Sequence, residues 1–245
     1  MIRVFKSIII LFLISFQIQA FGQLILDDIN PELIKQKTVR KYIVNQLDEN
    51  KHEFAEIQPS WTSNTDLSLY SKNEMSFLLN GNFKDIWLGY MSENPSNSWN
   101  GRKVSFGVLL QKFPNDIFYN NDPISGIKYG QVYFLNLKIL MGIWNIPVAF
   151  EIVTVDTTQK VLEFSYIKGN KSSGMQQIKF LDIGEGQTKI MHVSYFKSDS
   201  HFRDKWIYPF FHKKIVRDFH RNMRHLLNLE KLKKRIIEDA EVQTS

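Results

Sequence analysis

Between residues 192 and 212 the chain carries His192, Ser194, Lys197, Ser198, Asp199, Ser200, His201, Arg203, Asp204, Tyr208 and His212. Such a run can hold, accept or pass protons, because imidazole titrates near neutral pH and carboxylates and hydroxyls supply its partners. From Phe211 onward apolar residues recur at helical spacing, and at about 100° per residue His212 falls in the middle of that apolar stripe. Two readings follow for it: a core histidine bonded to a strand carbonyl or a tyrosine, or a ligand-binding or acid/base group in a pocket. Asn222 and Phe219 lie on the same face, and both are expected beside a bound molecule.

His192 alternates with Ile190, Ser194 and Phe196, and Glu163 with Val161 and Ser165. If both faces point inward, His192, Glu163 and His212 converge as the few polar groups of an apolar pocket. If they point outward, His192 and Glu163 are solvated. A slip of one residue reverses the outcome, and the sequence leaves the phase open. Arg203-Asp204 has two readings as well. The carboxylate suits a helix start, whereas the guanidinium could hold an anionic head group at a pocket mouth.

Other chemistries are poorly served. There is no cysteine, so disulfides, thiolate nucleophiles and cysteine-ligated metals are excluded. No Walker, GxGxxG, HExxH or GxSxG pattern occurs. His212 and His220 are eight apart and His220 and His225 five apart, which is not the i, i+4 spacing of a helical metal pair. No metal and no cofactor are expected, and no nucleic-acid motif is present.

The elements that must position these residues are readable in outline. Asn30-Pro31 suits a helix start, with a stripe of Leu33, Arg40, Ile43, Val44 and Leu47 running to Asp48. Residues 51–72 suggest one or two short strands. Residues 73–91 read as two short helices broken at Asn80-Gly81-Asn82, and Glu93 to Gly101 as a loop. Six strand-like runs follow: Val104–Phe113, Gln131–Ile139, Trp144–Val155, Lys160–Lys168, Met175–Ile183 and Thr188–Lys197. The loop Pro114 to Gly130 leads into the second, and short connections join the last four as an antiparallel meander. A long amphipathic helix begins near Tyr208-Pro209, with Phe211, Ile215, Val216, Phe219, Met223, Leu226 and Leu227 on one side. Lys213, Lys214, Arg217, Asp218, Arg221 and Arg224 fall on its back, and Glu238 to Ser245 reads as a frayed polar tail.

The chain has 245 residues, 43% hydrophobic and 13% aromatic, with a net charge of +6. The basicity is local, since eleven Lys/Arg face three acidic residues between His201 and Arg235. That face is expected to be solvated or to touch an anionic membrane surface. Arg3 and Lys6, the apolar run Ile8 to Phe16, and Ala20-Phe21-Gly22 match an export signal over residues 1–22. The apolar run is shorter than the roughly 20 residues a membrane span needs. Cleavage before Gln23 and a periplasmic or secreted address are therefore expected.

Two short helices before six strands and a long final helix is an order that resembles the START-like superfamily, which includes pathogenesis-related lipid binders and polyketide cyclase-like proteins. The resemblance implies an α+β helix-grip fold, a curved antiparallel sheet wrapped around the C-terminal helix. It covers about residues 66–235. Residues 23–65 then form an N-terminal helical extension and linker, and residues 236–245 a tail. Family members hold lipids or other apolar molecules in the grip cavity, and some are cyclases or hydrolases. The leading expectation is an exported binder or carrier of an apolar or amphipathic molecule. A cyclase- or hydrolase-type enzyme using a pocket histidine, and an envelope protein docking through its basic helix face, are the alternatives.

Overall fold

The computed structural model of the protein describes residues 24–48, 51–200, 204–205 and 208–244. Among them run α1 (Lys37–Asp48), β1 (Ser71–Asn80), α2 (Phe83–Ser92), α3 (Pro95–Ser98), β2 (Val104–Lys112), β3 (Asn115–Tyr119), β4 (Gln131–Ile139), β5 (Trp144–Asp156), β6 (Val161–Tyr166), β7 (Ser172–Asp182), β8 (Gln187–Ser198) and α4 (Tyr208–Thr244). The strands form one antiparallel sheet in the order β1-β8-β7-β6-β5-β4-β2-β3. α4 touches β1 at one edge and β2 near the other, so the sheet curves around the helix. This is the helix-grip fold.

Residues 71–80 are the main departure from the expected elements. Met75, Leu78 and Leu79 fit a helical spacing, yet the segment is β1 and pairs with β8 from Ser71↔Phe196 to Asn80↔Gln187. Leu79 is buried while its neighbour Leu78 is 56% exposed, which is the period of a strand. Pairing with β8 outweighs local spacing. Residues 51–72, expected as strand, instead form 3₁₀ turns at Phe54–Glu56 and Leu67–Leu69, with a lone bridge between Pro59 and Ile167. The expected loops hold two further elements, α3 and β3, the latter folding back on the end of β2. Asn82 and Asn94 cap α2 and α3 through their side-chain oxygens. Asn30-Pro31 starts only a 3₁₀ turn, Pro31–Leu33. At the other end α4 continues as helix through Thr244, where a frayed tail was expected; neither glycine nor proline follows Pro209 to stop it.

Two apolar layers flank the sheet. On the inner side Trp87, Tyr90, Trp99, Phe106, Phe150, Phe164, Phe180, Phe219 and Met223 pack between strands and helices. On the back, Leu26, Ile34, Val39, Ile43 and Phe54 cover Val108, Leu110, Val132, Phe134 and Ala149. The N-terminal segment is thus a third layer over β2, β4 and β5. It is fastened by Lys112, whose Nζ reaches Glu151 Oε2 at 2.7 Å and the Ile57 carbonyl at 2.5 Å, all out of solvent.

α4 buries Val216, Phe219, Met223 and Leu227 as its stripe requires, each burial worth about 1.5–3 kcal/mol. Lys213, Lys214, Arg217, Arg221 and Arg224 are exposed. Asp218, expected on the solvated back, is buried instead. It accepts from the Lys103 amide at 2.6 Å and pairs with Arg221, tying α4 to the loop before β2. No helix among the described residues is long and apolar enough to cross a membrane.

Candidate functional site

A cavity of about 240 Å³ lies between α4 and the strands β4 to β8. Trp99, Leu135, Val148, Phe150, Phe164 and Ile215 supply much of its apolar wall. The hairpin joining β4 to β5 stands at one side. Ile139, Ile146 and Pro147 reach the cavity, while Ile143 and Trp144 project into solvent, 77% and 62% exposed.

One corner is polar. Phe164, Gln176 and Ser194 are cross-strand neighbours on β6, β7 and β8, so their side chains share the inner face. His192 lies two residues from Ser194 on that face. Gln176 Oε1 stands 2.8 Å from His192 Nε2 and 3.0 Å from His212 Nε2. Its Nε2 donates to the Tyr166 hydroxyl at 3.0 Å, and that hydroxyl bonds in turn to Tyr208 at the start of α4. Behind His192, Nδ1 meets His220 Nε2 at 3.0 Å, and His220 Nδ1 meets the Tyr90 hydroxyl at 3.0 Å. Ser194 Oγ lies 3.4 Å from His212 Nε2. The chain of bonds runs from the core at Tyr90 to the cavity wall at Gln176 and His212.

Burial holds all three imidazoles neutral. It pushes His212 and His220 down to about 3, with the Arg224 cation adding to the effect at His220. His192 is depressed by burial, then by the repulsion that charge on His220 or His212 would bring. The phenols move the other way. Burial raises Tyr166 to about 12 and lifts Tyr208 well above the ordinary phenol range, so both keep their protons.

Neutral rings fix the direction of the bonds. Gln176 Oε1 only accepts, so His192 and His212 both carry their proton on Nε2. His192 Nδ1 must then accept from His220 Nε2–H, and His220 Nδ1 from the Tyr90 O–H. Every nitrogen is matched except one, since His212 Nδ1 is buried with no hydrogen-bond partner.

The sequence-derived candidates separate here. His192, His212 and Phe219 line the cavity. Glu163 does not: it sits on the opposite face of β6 from Leu162 and Phe164, bonded to Gln177 at 2.7 Å. The alternation that carries His192 inward on β8 carries Glu163 outward on β6, so of the two phases left open the inward one holds for His192 alone and Glu163 leaves the candidate site. Asn222 also turns away, donating to the Asn97 and Ser98 carbonyls at 2.7 and 2.8 Å and so fastening α3. Arg203 lies outside the described residues. Asp204 accepts from the Ser198 amide at 2.9 Å, closing the end of β8.

Sequence reasoning missed Gln176, His220, Tyr90 and Tyr166 as site residues, and named Tyr208 only as part of the polar run before α4. His220 had a usable signal, because it falls about 20° beyond the last apolar residue of the α4 stripe. No group of three or more His, Asp or Glu among the described residues is placed to hold a metal ion.

No family model and no curated protein matches the chain. Similar solved structures include a norcoclaurine synthase point mutant from Thalictrum flavum, at 13% identity and a TM-score of 0.49, covering 66% of this chain and 97% of that one. Major latex-like protein 151 of Panax ginseng is 15% identical with a TM-score of 0.48, covering 64% and 97%. A protein of Nitrosomonas europaea is 11% identical with a TM-score of 0.45, covering 66% and 96%. At these identities and scores no residue role passes from them to this chain.

Proposed function

We propose that the protein binds a compact apolar molecule with one small polar head in the cavity between α4 and the sheet. The observation that carries this reading is a buried polar corner, Gln176, His192, His212, Tyr166 and Tyr208, in a wall that is apolar apart from Asn170, Lys171 and Ser172. Few convergent polar groups in an apolar cavity are the usual form of a small-molecule site. At about 240 Å³ the space falls just short of the roughly 300–1,000 Å³ of drug-sized sites, which favours a small body. Native mass spectrometry of the purified protein tests the reading. A retained small molecule should be present in the wild type and absent from Ile215→Trp, which fills the cavity. An empty wild-type protein that also takes up no apolar probe would overturn it.

A cyclase- or hydrolase-type role for His212 is the second reading, favoured by its unpartnered nitrogen. A base that protonates only near pH 3 is a poor match to neutral pH, so binding is preferred. Docking through the basic face of α4 is less well supported, because two of its cations are engaged within the chain, Arg221 with Asp218 and Arg224 with the Leu78 carbonyl.

Export completes the proposal. It rests on the charged, apolar and small-residue pattern of residues 1–22. Leu26 is buried, and the Leu24 carbonyl accepts from Asn115 at 2.8 Å, so the chain just after the proposed cleavage point belongs to the packed body. N-terminal sequencing of protein from the extracytoplasmic fraction should begin at or near Gln23. An intact Met1 would reject export.

A further inference from the structure

The polar corner of the cavity is almost, but not quite, satisfied. Gln176 spends both lone pairs of Oε1 on the Nε2–H groups of His192 and His212. Its amide nitrogen is turned to Tyr166, so neither histidine meets a donor there. With its proton on Nε2 and its ring neutral, His212 presents a bare lone pair at Nδ1. That atom is buried without a partner, on a residue only 6% exposed that lines the cavity. Buried acceptors in native proteins nearly always find a donor.

The two phenols carry the opposite surplus. Tyr166 and Tyr208 have one hydroxyl proton each, and the Gln176 amide already donates to the Tyr166 oxygen. One proton suffices for the bond between the two hydroxyls. The second, on whichever oxygen accepts in that bond, makes no hydrogen bond among the described residues, although the Asp204 carboxylate, whose Oδ1 is buried without a partner, is near enough to act on Tyr208. Tyr208 and His212 are one helical turn apart on α4, their rings stacked with centroids 5.0 Å apart. The spare donor and the bare acceptor therefore flank the same end of the cavity.

The geometry points to a ligand headed by a neutral hydroxyl, an apolar alcohol or phenol, that donates to His212 Nδ1 and accepts from the Tyr166–Tyr208 pair. This inference rests on the ligand-binding reading above and names its chemical class. A hydroxyl both donates and accepts, so it closes both open valences at once. An ether or ketone accepts from the phenol pair but leaves Nδ1 bare. A carboxylate brings no proton, sets its lone pairs against that of Nδ1, and would be buried among three neutral imidazoles. Among the described residues the one cation on the wall, Lys171, is exposed, so no buried cation among them would offset that charge.

Four probes on one two-ring skeleton separate the cases: 2-naphthol, 2-methoxynaphthalene, 2-naphthoate and naphthalene. Their affinities are measured by calorimetry at pH 7 on the wild-type protein and on His212→Phe, which keeps a ring but has no Nδ1. The expected result is 2-naphthol at least tenfold tighter than the ether and the carboxylate in the wild type, with that advantage lost in His212→Phe. Should His212→Phe fail to fold, nitrogen-15 spectra of the wild-type histidines carry the test. Naphthol should shift a bare Nδ1 of His212 and naphthalene should not. An ether or carboxylate that binds as tightly as naphthol, or an Nδ1 that already holds the proton, overturns the hydroxyl assignment while leaving the cavity a binding site. Failure of all four probes, naphthalene included, overturns both.

Discussion

His192 Nδ1 accepts a hydrogen bond from His220 Nε2 across 3.0 Å, joining the middle of β8 to the first half of α4. The two rings stand almost perpendicular, at 87°, which lets a nitrogen of one aim along the lone pair of the other. Behind them the Tyr90 hydroxyl closes the line. Helix, strand and α2 are thus held by one polar seam inside an apolar core.

That seam depends on its terminal donor. Tyr90→Phe removes the proton that His220 Nδ1 accepts and leaves a buried nitrogen unmatched, at a cost of about 1–3 kcal/mol. Tyr90 does not line the cavity, so probe affinity should hold while the urea midpoint falls. A loss of affinity without a loss of stability would place Tyr90 in the site instead.

Acid should weaken the fold earlier than carboxylates alone would. The three buried histidines sit below their ordinary 6.5 in the folded chain, His212 and His220 near 3. Below pH 6.5 the unfolded chain binds protons that the folded chain refuses, so stability is complete above that pH and declines as pH falls toward 3. Each histidine contributes up to about 1.4 kcal/mol per pH unit in that window. Urea melts at pH 8, 7, 6 and 5 should show a plateau and then a fall. A flat profile from pH 7 to 5 would mean that the imidazoles are charged or solvated in the folded protein.

The two faces of α4 should respond unequally. Phe219 stacks on Trp99 at 4.3 Å and is buried, so Phe219→Ala should cost about 3–5 kcal/mol through lost burial and a new void. Arg217 is exposed, and Arg217→Ala should stay within about 0.5 kcal/mol. Equal small losses in denaturant would mean that the sheet does not grip the helix.

On the back of the sheet, Lys112→Met leaves the Glu151 carboxylate buried and unpaired. A loss of about 3–5 kcal/mol is expected, with most of it recovered in Lys112→Met/Glu151→Leu. Burial already raises Glu151 against the pull of Lys112, so the lone carboxyl should hold its proton to a higher pH than in the wild type. Thermal melts of both variants decide this. No recovery in the double variant would assign the effect to the Ile57 carbonyl.

Asn222 offers a control for the site. Asn222→Ala frees two α3 carbonyls and should cost about 1–2 kcal/mol with no change in probe affinity. A selective loss of affinity would return Asn222 to the cavity.

Much of the fold was legible because the meander and α4 are written in periodicities that packing leaves intact. Ile178 and Phe180 alternate with Lys179 and Leu181, and the structure buries the first pair more deeply. β1 was lost because Met75, Leu78 and Leu79 follow a helical spacing while Met75, Phe77 and Leu79 follow that of a strand, and only pairing with β8 chooses between them. The site was half legible. His212 and His192 stood out as polar residues on apolar faces, and Phe219 as part of a stripe. Glu163 failed although the local pattern carried the answer, because Leu162, Phe164 and Tyr166 are the apolar positions of β6 and Glu163 alternates with them. Gln176 could not be singled out, since its role arises from two histidines that reach it from distant parts of the chain.

Among the described residues the back layer covers β2, β4 and β5 and does not extend over β7 and β8. All nine residues of β2 are buried, whereas Gln177, Lys179, Lys189 and Met191 are not. The chain's tolerance to change should carry the same imprint. In a saturation library selected for folding, survivors would come at every second position along β7 and β8 and scarcely at all along β2. New surface properties could therefore be acquired gradually at one end of the sheet, while the other end can change only by compensated pairs.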